Sequence, residues 1–321
     1  MCKLSVVFMG TPDFATEILK TIHEANYEIK AVVTTPDKPS GRGLKLSESS
    51  IKQYAVSQNL RIFQPEKLKN PEFIQSLRQL NADCFIVVAF RMLPKEVWSL
   101  PQKGTFNLHA SLLPDYRGAA PINHVIINGE QKTGVTTFFI NDNIDTGDIL
   151  LREEVDILPS ENAGSLHDKL MVSGAQLVLK TLDGISSGNL KPTPQSLISN
   201  DTKLNPAPKI FKQDCLIDWN QPANVIFNKI RGLSPYPCAY TELTNENNEV
   251  LSLKIYETEI VHSHETCAYG TIISDRKSYF MIKTEDGFIS IKDLHLSGKK
   301  RLKIEEFLKG FRFELNWKIK V

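Results

Sequence analysis

Four strand-like runs, at residues 4–8, 28–34, 84–89 and around Phe106, the first and third wholly or almost wholly apolar, alternate with stretches of helical periodicity near 12–25, 51–59 and 71–80. Strands apolar on both faces must be covered above and below, and strand–helix alternation forces parallel pairing through right-handed crossovers. The expectation is an α/β fold with a doubly wound, mainly parallel sheet. Residues 164–182 carry Leu166, Leu170, Leu177 and Val178 at helical spacing and read as a long packing helix that closes this domain. Residues 186–208, rich in Ser, Gly, Asn and Pro, read as an extended surface linker. Beyond it come a short helix near 224–231 and β-rich runs at 239–243, 250–260, 270–273, 279–282 and 288–291, the pattern of a small OB-like barrel. The resulting division is a first domain over 1–189, a linker over 190–207 and a second domain over 208–321.

A chain of 321 residues with 41% hydrophobic content exceeds one comfortable core. Its net charge of +1 offers no global attraction for phosphate, so a nucleic-acid partner requires local basic patches. The five cysteines, Cys2, Cys84, Cys215, Cys238 and Cys267, are odd in number and form no Cys-x-x-Cys pair, which reads as free thiols in a reducing compartment. With a strand starting at Leu4 and no membrane-length apolar run, a soluble cytoplasmic protein is expected. No metal site is expected: His262 and His264 sit in a polar turn with no third ligand, and read as solvent-exposed.

The most informative stretch is 105–130. In an extended run Asn107 and His109 share one face and Leu108 takes the other, pairing an amide with an imidazole at a strand end. A proline-stiffened turn, Ser111-Leu112-Leu113-Pro114, follows, then Gly118, and a helix restarts over 120–127. Strand ends at such crossovers are where open α/β sheets place ligands. A lone histidine there is more often a hydrogen-bonder than a catalyst. Asp145 adds weight: it lies in the polar loop 141–148 between apolar runs 135–140 and 149–155. Such a loop can be a solvated hairpin tip. Its flanks are too apolar for an idle hairpin, which sets the tip against the sheet edge carrying His109.

The turn Gly10-Thr11-Pro12 after the first strand lacks the further glycines of a dinucleotide fingerprint, so a nicotinamide site is rejected and a ligand-facing turn remains. The loop 35–50 interleaves Pro36, Pro39, Gly41 and Gly43 with Lys38, Arg42 and Lys45. It reads either as a solvated loop or as a basic finger on nucleic acid. Lys299, Lys300 and Arg301, with Lys303, Lys309 and Arg312, are either helix-flanking charge or phosphate contacts. Ser111 has neither an adjacent base nor elbow glycines, so no serine nucleophile is implied.

The runs Asn107-Leu108-His109-Ala110-Ser111-Leu112-Leu113-Pro114, Tyr116-Arg117-Gly118-Ala119-Ala120-Pro121-Ile122 and Asp145-Thr146-Gly147-Asp148 resemble the folate-dependent formyltransferase family. The likeness extends to Phe8-Met9-Gly10-Thr11-Pro12-Asp13-Phe14-Ala15, to Pro36-Asp37-Lys38-Pro39-Ser40-Gly41-Arg42-Gly43 and to Gly298-Lys299-Lys300-Arg301. It implies transfer of a formyl group from 10-formyltetrahydrofolate to the methionine amine of initiator Met-tRNA, by a monomer with no membrane partner; an amino-sugar nucleotide is the alternative acceptor. It implies catalytic roles for Asn107, His109 and Asp145. Acyl transfer to an amine needs an oxyanion donor, which an asparagine amide supplies, and a proton carrier, which an imidazole beside a carboxylate supplies. The resemblance also implies a folate pocket shaped by Ser111, Leu112, Leu113 and Pro114, by Phe90, Met92 and Leu93, and by Asp142. Arg91 departs from the family's usual glycine in the 90–94 turn, which also looks one residue shorter. Gly10, Thr11, Pro12 and Phe14 would border the amino acceptor. Lys38, Arg42 and Lys45, with Lys209, Lys299, Lys300 and Arg301, would hold tRNA.

Overall fold

The computed structural model describes residues 3–40, 45–198, 204–263, 265–310 and 317–320. It forms two compact units, each drawn from several segments. The first comprises Met1–Gly118, Lys132–Asp156 and His167–Pro206; the second comprises Ala119–Gln131, Ile157–Leu166 and Ala207–Val321.

In chain order the elements of the first part are β1 (Ser5–Gly10), α1 (Asp13–Glu24), β2 (Glu28–Val33), β3 (Lys38–Ser40), β4 (Lys45–Ser47), α2 (Ser50–Ser57), β5 (Ile62–Phe63) and α3 (Pro71–Gln79). They continue with β6 (Cys84–Val88), α4 (Lys95–Trp98), β7 (Thr105–His109), β8 (Arg117–Gly118), α5 (Pro121–Ile127), β9 (Lys132–Phe139), β10 (Ile149–Asp156) and α6 (Ala163–Ser187). The sheet of the first unit runs β10-β9-β7-β6-β1-β2-β5. Strands β5, β2, β1, β6 and β7 pair in parallel, and β9 and β10 add an antiparallel edge.

The expected doubly wound sheet is therefore present, and its two faces are covered by different helices. Val7, Met9, Val33, Phe85 and Val87 pack on Phe73 and Leu77 of α3 and Val97 of α4. Leu108 faces the other way, where a Cβ at Gly174 of α6 would lie 2.8 Å from its Cδ2. Each large side chain so buried contributes about 1.5–3 kcal/mol. Helix α3 starts where it does because Asn70 Oδ1 accepts from the amides of Glu72 and Phe73, at 2.8 and 3.3 Å, with Pro71 in the first turn.

Three regions differ from the sequence-based expectation, the first being that Ala119–Gln131 and Ile157–Leu166, expected within the 1–189 domain, fall in the second unit. The loop 35–50 contains an antiparallel pair, with Lys38 opposite Ser47 and Ser40 opposite Lys45. Pro and Gly masked the short ladder. Residues 190–198 belong to the first unit rather than standing apart: Thr193 exchanges backbone hydrogen bonds of 2.8 Å with Ile149, and Gln195 is buried. Polar composition hid that contact, since a run without periodicity can still satisfy its backbone on a neighbour.

The second unit contains β11 (Pro206–Ala207) in part, then α7 (Ala223–Leu233), β12 (Ala239–Thr244), β13 (Val250–Val261), β14 (Ile272–Ser274), β15 (Phe280–Lys283), β16 (Phe288–Leu296), β17 (Arg301–Lys303), α8 (Ile304–Gly310) and β18 (Lys318–Ile319). Its antiparallel sheet runs β14-β15-β16-β13-β12-β18, with β17 on β16, and forms a nearly closed barrel. Alternation fills it: Ala239, Leu243, Leu253, Ile255, Ile289 and Leu294 point inward against Ile226 and Ile230 of α7. Helix α5 packs on α7, where Asn123 Nδ2 donates to Gly232 O at 2.7 Å.

Candidate active site

The carboxyl ends of three parallel strands are level: Gly10 of β1 lies opposite Val88 of β6, and Val88 opposite Leu108 of β7. Strands β2 and β6 flank β1 on opposite sides, so the chain's crossovers diverge here, the switch point at which open α/β sheets form a ligand crevice. Gly10 is required by packing: a Cβ there would lie 2.6 Å from Ala15 Cβ and 3.0 Å from Val88 O. Thr11 follows with its buried hydroxyl unpartnered, Pro12 is exposed, and Phe14 is buried edge-on to His167 with ring centroids 5.3 Å apart.

Parallel register places Asn107 beside Val87, on the α3/α4 face, and the two-residue period puts His109 on that face as well. The imidazole is 7% exposed. Its Nε2 lies 2.9 Å from Tyr116 O. A carbonyl only accepts, so Nε2 carries hydrogen and Nδ1 is the position left for exchange. Nδ1 lies 3.8 Å from Asp145 Oδ2. That carboxylate oxygen in turn accepts from Gly118 N at 3.0 Å. The structure thus brings His109 and Asp145 together across a gap longer than a hydrogen bond.

A buried hydroxyl on β9 makes two hydrogen bonds to the turn after β7. Thr136, directly opposite His109 in the β7–β9 register, donates from Oγ1 to Ser111 O at 2.6 Å and accepts from Leu113 N at 3.1 Å. Arg152 donates to Leu113 O at 3.2 Å, and Leu113 packs with Phe138 and Ile149. Leu112 occupies the space over Gly134, where a Cβ would lie 2.5 Å from Leu112 Cδ2. The Ser111 hydroxyl donates to Asp115 O at 2.7 Å and so helps close the turn.

On the other side of the strand ends, Leu93 is buried in the α3/α4 core, Phe90 packs against that core, and Met92 is 68% exposed. Arg91 does not enter this crevice: its guanidinium donates to Pro65 O at 2.8 Å and Glu66 O at 3.0 Å, and burial lowers its pKa. The departure at this position is thereby accommodated by the segment after β5. Asp142 is exposed at the tip of the 141–148 loop.

The basic residues separate by role. Arg301 pairs with the buried Asp293 through Nε at 2.8 Å and a second nitrogen at 3.1 Å, and stacks over Tyr256 at 4.0 Å. Its hydrogen-bonding edge is committed within the barrel. Lys299 and Lys300 are exposed, and Lys209 lies over the Phe211 ring at 5.4 Å. Arg42 lies outside the described residues, as do Cys2, His264 and Arg312, and only the backbone of Lys38 and Lys45 is described. Among the described residues no group of three or more His, Cys, Asp and Glu could hold a metal ion, and no helix is long and apolar enough to cross a membrane.

Direct comparison with known proteins identifies the class of protein to which this fold belongs. A profile of the formyl transferase family matches residues 2–182, and one of the formyl transferase C-terminal domain matches 209–312. The chain belongs to the formyl transferase family. Among its relatives, the methionyl-tRNA formyltransferase of Bacteroides thetaiotaomicron is 50% identical over 316 residues, and that of Phocaeicola vulgatus 54% identical over 318, each alignment covering 98% of both chains. A crystal structure of HypX from Aquifex aeolicus in complex with tetrahydrofolic acid aligns with 100% of this chain and 51% of its own, at a TM-score of 0.63 and 17% identity.

Sequence reasoning did not single out Thr136, Gly134, the Tyr116 carbonyl or Gln195. Gly134 alone left a trace, as a glycine inside a strand run, which often marks close approach of another group.

Proposed function

We propose that this protein transfers the formyl group of 10-formyltetrahydrofolate to the α-amine of methionine on initiator Met-tRNA, acting as a cytoplasmic monomer. The observation that carries the chemistry is the proton arrangement at His109, with Nε2 committed to Tyr116 O and Nδ1 facing Asp145 Oδ2 at 3.8 Å. The choice of acceptor is supported by full-length relatives at 50% identity named for it.

In the reaction the neutral amine attacks the formyl carbon, a new C–N bond forms, and the carbonyl oxygen becomes an oxyanion. Asn107, on the same face as His109, donates its side-chain amide to that oxygen, a contact worth about 3–4 kcal/mol in a preorganised site. The amine then loses a proton to the His109–Asp145 pair, where Nδ1 faces Oδ2. The C–N10 bond breaks as N10 takes a proton from the same pair, so one proton passes from amine to N10 and the enzyme is restored. Contacts that are loose before substrate binds commonly tighten in the complex, and a 3.8 Å gap closes with a small rotation of either side chain.

The folate donor fits the crevice by its chemistry. A flat heterocycle suits the exposed Met92 and the half-buried Phe90 at the end of β6, with Leu93 packed in the core beneath them, and the fixed turn Ser111–Pro114 after β7. Gly10, Thr11, Pro12 and Phe14 border the acceptor side. Lys38, Arg42, Lys45, Lys209, Lys299 and Lys300 supply the non-specific, salt-dependent attraction for the tRNA backbone. The test is formyl transfer from 10-formyltetrahydrofolate to initiator Met-tRNA, with elongator Met-tRNA and an amino-sugar nucleotide in parallel. Transfer to the initiator alone is expected; transfer to the sugar alone would keep the chemistry and discard the acceptor.

A further inference from the structure

Gln195 lies in the segment whose composition reads as linker, yet it is 4% exposed and all its side-chain polar groups are used. Its Nε2 donates to two carbonyls of the same loop, Asp145 O and Gly147 O, both at 2.9 Å. Its Oε1 accepts from Arg117 through Nε at 3.1 Å and a terminal nitrogen at 2.5 Å. Arg117 precedes Gly118, whose amide holds Asp145 Oδ2. One amide therefore ties the backbone of the carboxylate's own loop to the strand that binds the carboxylate.

The loop needs such a tie. Asp145 sits at φ 53, in the left-handed region that residues with a Cβ rarely adopt. Gly147 packs so closely on the Phe139 carbonyl that no Cβ fits there. Gln195 binds the carbonyls on both sides of Thr146, so the short run from Asp145 to Gly147 is held at its two ends. A two-carbonyl clamp fixes direction as well as distance, which is what the 3.8 Å relation of Asp145 to His109 requires.

We propose that Gln195 is a positioning residue for formyl transfer: it sets the Asp145 carboxylate against His109 through the loop backbone, and Arg117 fixes the orientation of its amide. This rests on the proton-carrying role proposed above for Asp145. Gln195→Met keeps the length of the side chain and removes both donors and the acceptor. Gln195→Glu keeps the acceptor for Arg117 and removes the donors.

The experiment is steady-state formyl transfer to initiator Met-tRNA by the full-length wild type, Gln195→Met, Gln195→Glu, Asp145→Asn and the Asp145→Asn/Gln195→Met double variant. Thermal melting of each variant accompanies the kinetics. Both Gln195 variants are expected to lose about 10–100-fold in kcat, with KM for each substrate within about 3-fold of wild type, the signature of a misplaced group rather than lost binding. In the Asp145→Asn background, Gln195→Met should cost less than about 3-fold further, because the group it positions is already disabled. If Gln195→Met melts below the assay temperature, Gln195→Glu, with its Arg117 pairing intact, decides. Wild-type kcat in the folded Gln195 variants, beside a collapsed Asp145→Asn, would overturn the positioning role alone. So would an undiminished Gln195→Met penalty in the Asp145→Asn background. Wild-type kcat in Asp145→Asn would instead remove the role of Asp145 and the inference built on it.

Discussion

Thr136→Val removes one oxygen atom and two hydrogen bonds while preserving shape. In the folded protein that hydroxyl is fully buried, donating to Ser111 O at 2.6 Å and accepting from Leu113 N at 3.1 Å. Valine leaves a buried carbonyl and a buried amide unpaired, and each orphan costs about 1–3 kcal/mol. The sum is about 3 kcal/mol if the turn relaxes partly, which lowers the melting temperature of a unit this size by roughly 6–12 °C. Because the two bonds hold the turn that follows His109, KM for 10-formyltetrahydrofolate should rise together with the loss of stability. Thr136→Ser keeps the hydroxyl and gives up one methyl, so it should cost only about 1 kcal/mol and leave KM near wild type. Calorimetry on the three proteins, with folate saturation curves, makes the comparison. A Thr136→Val protein melting within about 2 °C of wild type would refute the reasoning, since the two orphaned groups would then have found other partners.

Asn107→Ala should lower kcat by about 100-fold with folate affinity largely retained; a large loss of folate binding with normal turnover at saturation would argue against an oxyanion donor. Arg301→Met should weaken tRNA use only together with a loss of about 1–3 kcal/mol of stability, because the buried Asp293 loses its bidentate partner. Lys300→Met should weaken tRNA use and leave the melting curve unchanged; reversal of the two patterns would return Arg301 to the phosphate-binding set. Asp83 is held below the usual carboxylate range by the backbone amide and hydroxyl of Ser5, each at 2.7 Å. A carboxylate lowered in the fold adds stability above its unfolded pKa and loses it as pH falls through the folded one. The penalty of Asp83→Asn should therefore shrink as pH drops below about 4, as urea titrations at several pH values would show. Burial pushes the Cys84 thiol up to about 12 and the Cys238 thiol up to about 11, so native alkylation read by mass spectrometry should mark Cys267 and spare both.

What could be read before the structure was known divides along physical lines. Burial on two faces leaves a signature in every residue of a strand, so β1, β6 and β7 were legible. The shared face of Asn107 and His109 follows from the two-residue period alone. The approach of Asp145 to His109 was signalled by polar loop residues between apolar runs, which later paired as β9 and β10. Gln195 was not legible, because its segment carries neither periodicity nor caps and its value lies in where three carbonyl and guanidinium groups happen to converge. Thr136 reads as an ordinary strand threonine until a turn folds over it. Arg301 reads as one charge in a basic cluster, and only the register of β16 and β17, with His295 opposite Arg301 and Asp293 opposite Lys303, reveals its acidic neighbour.

The helix α5 and the segment 157–166 belong to the second unit although they lie within the first two hundred residues. A gene fragment cut at residue 207 would synthesise the barrel and α7 without the helix that supplies Asn123 to Gly232 and Ile127 to the adjoining core. Such a fragment would display a sticky apolar flank, and grafting the barrel onto another enzyme by a single splice would carry the same defect. Transplanting this unit means moving three pieces of chain, so recombination between relatives is tolerated at fewer points than a two-module reading suggests.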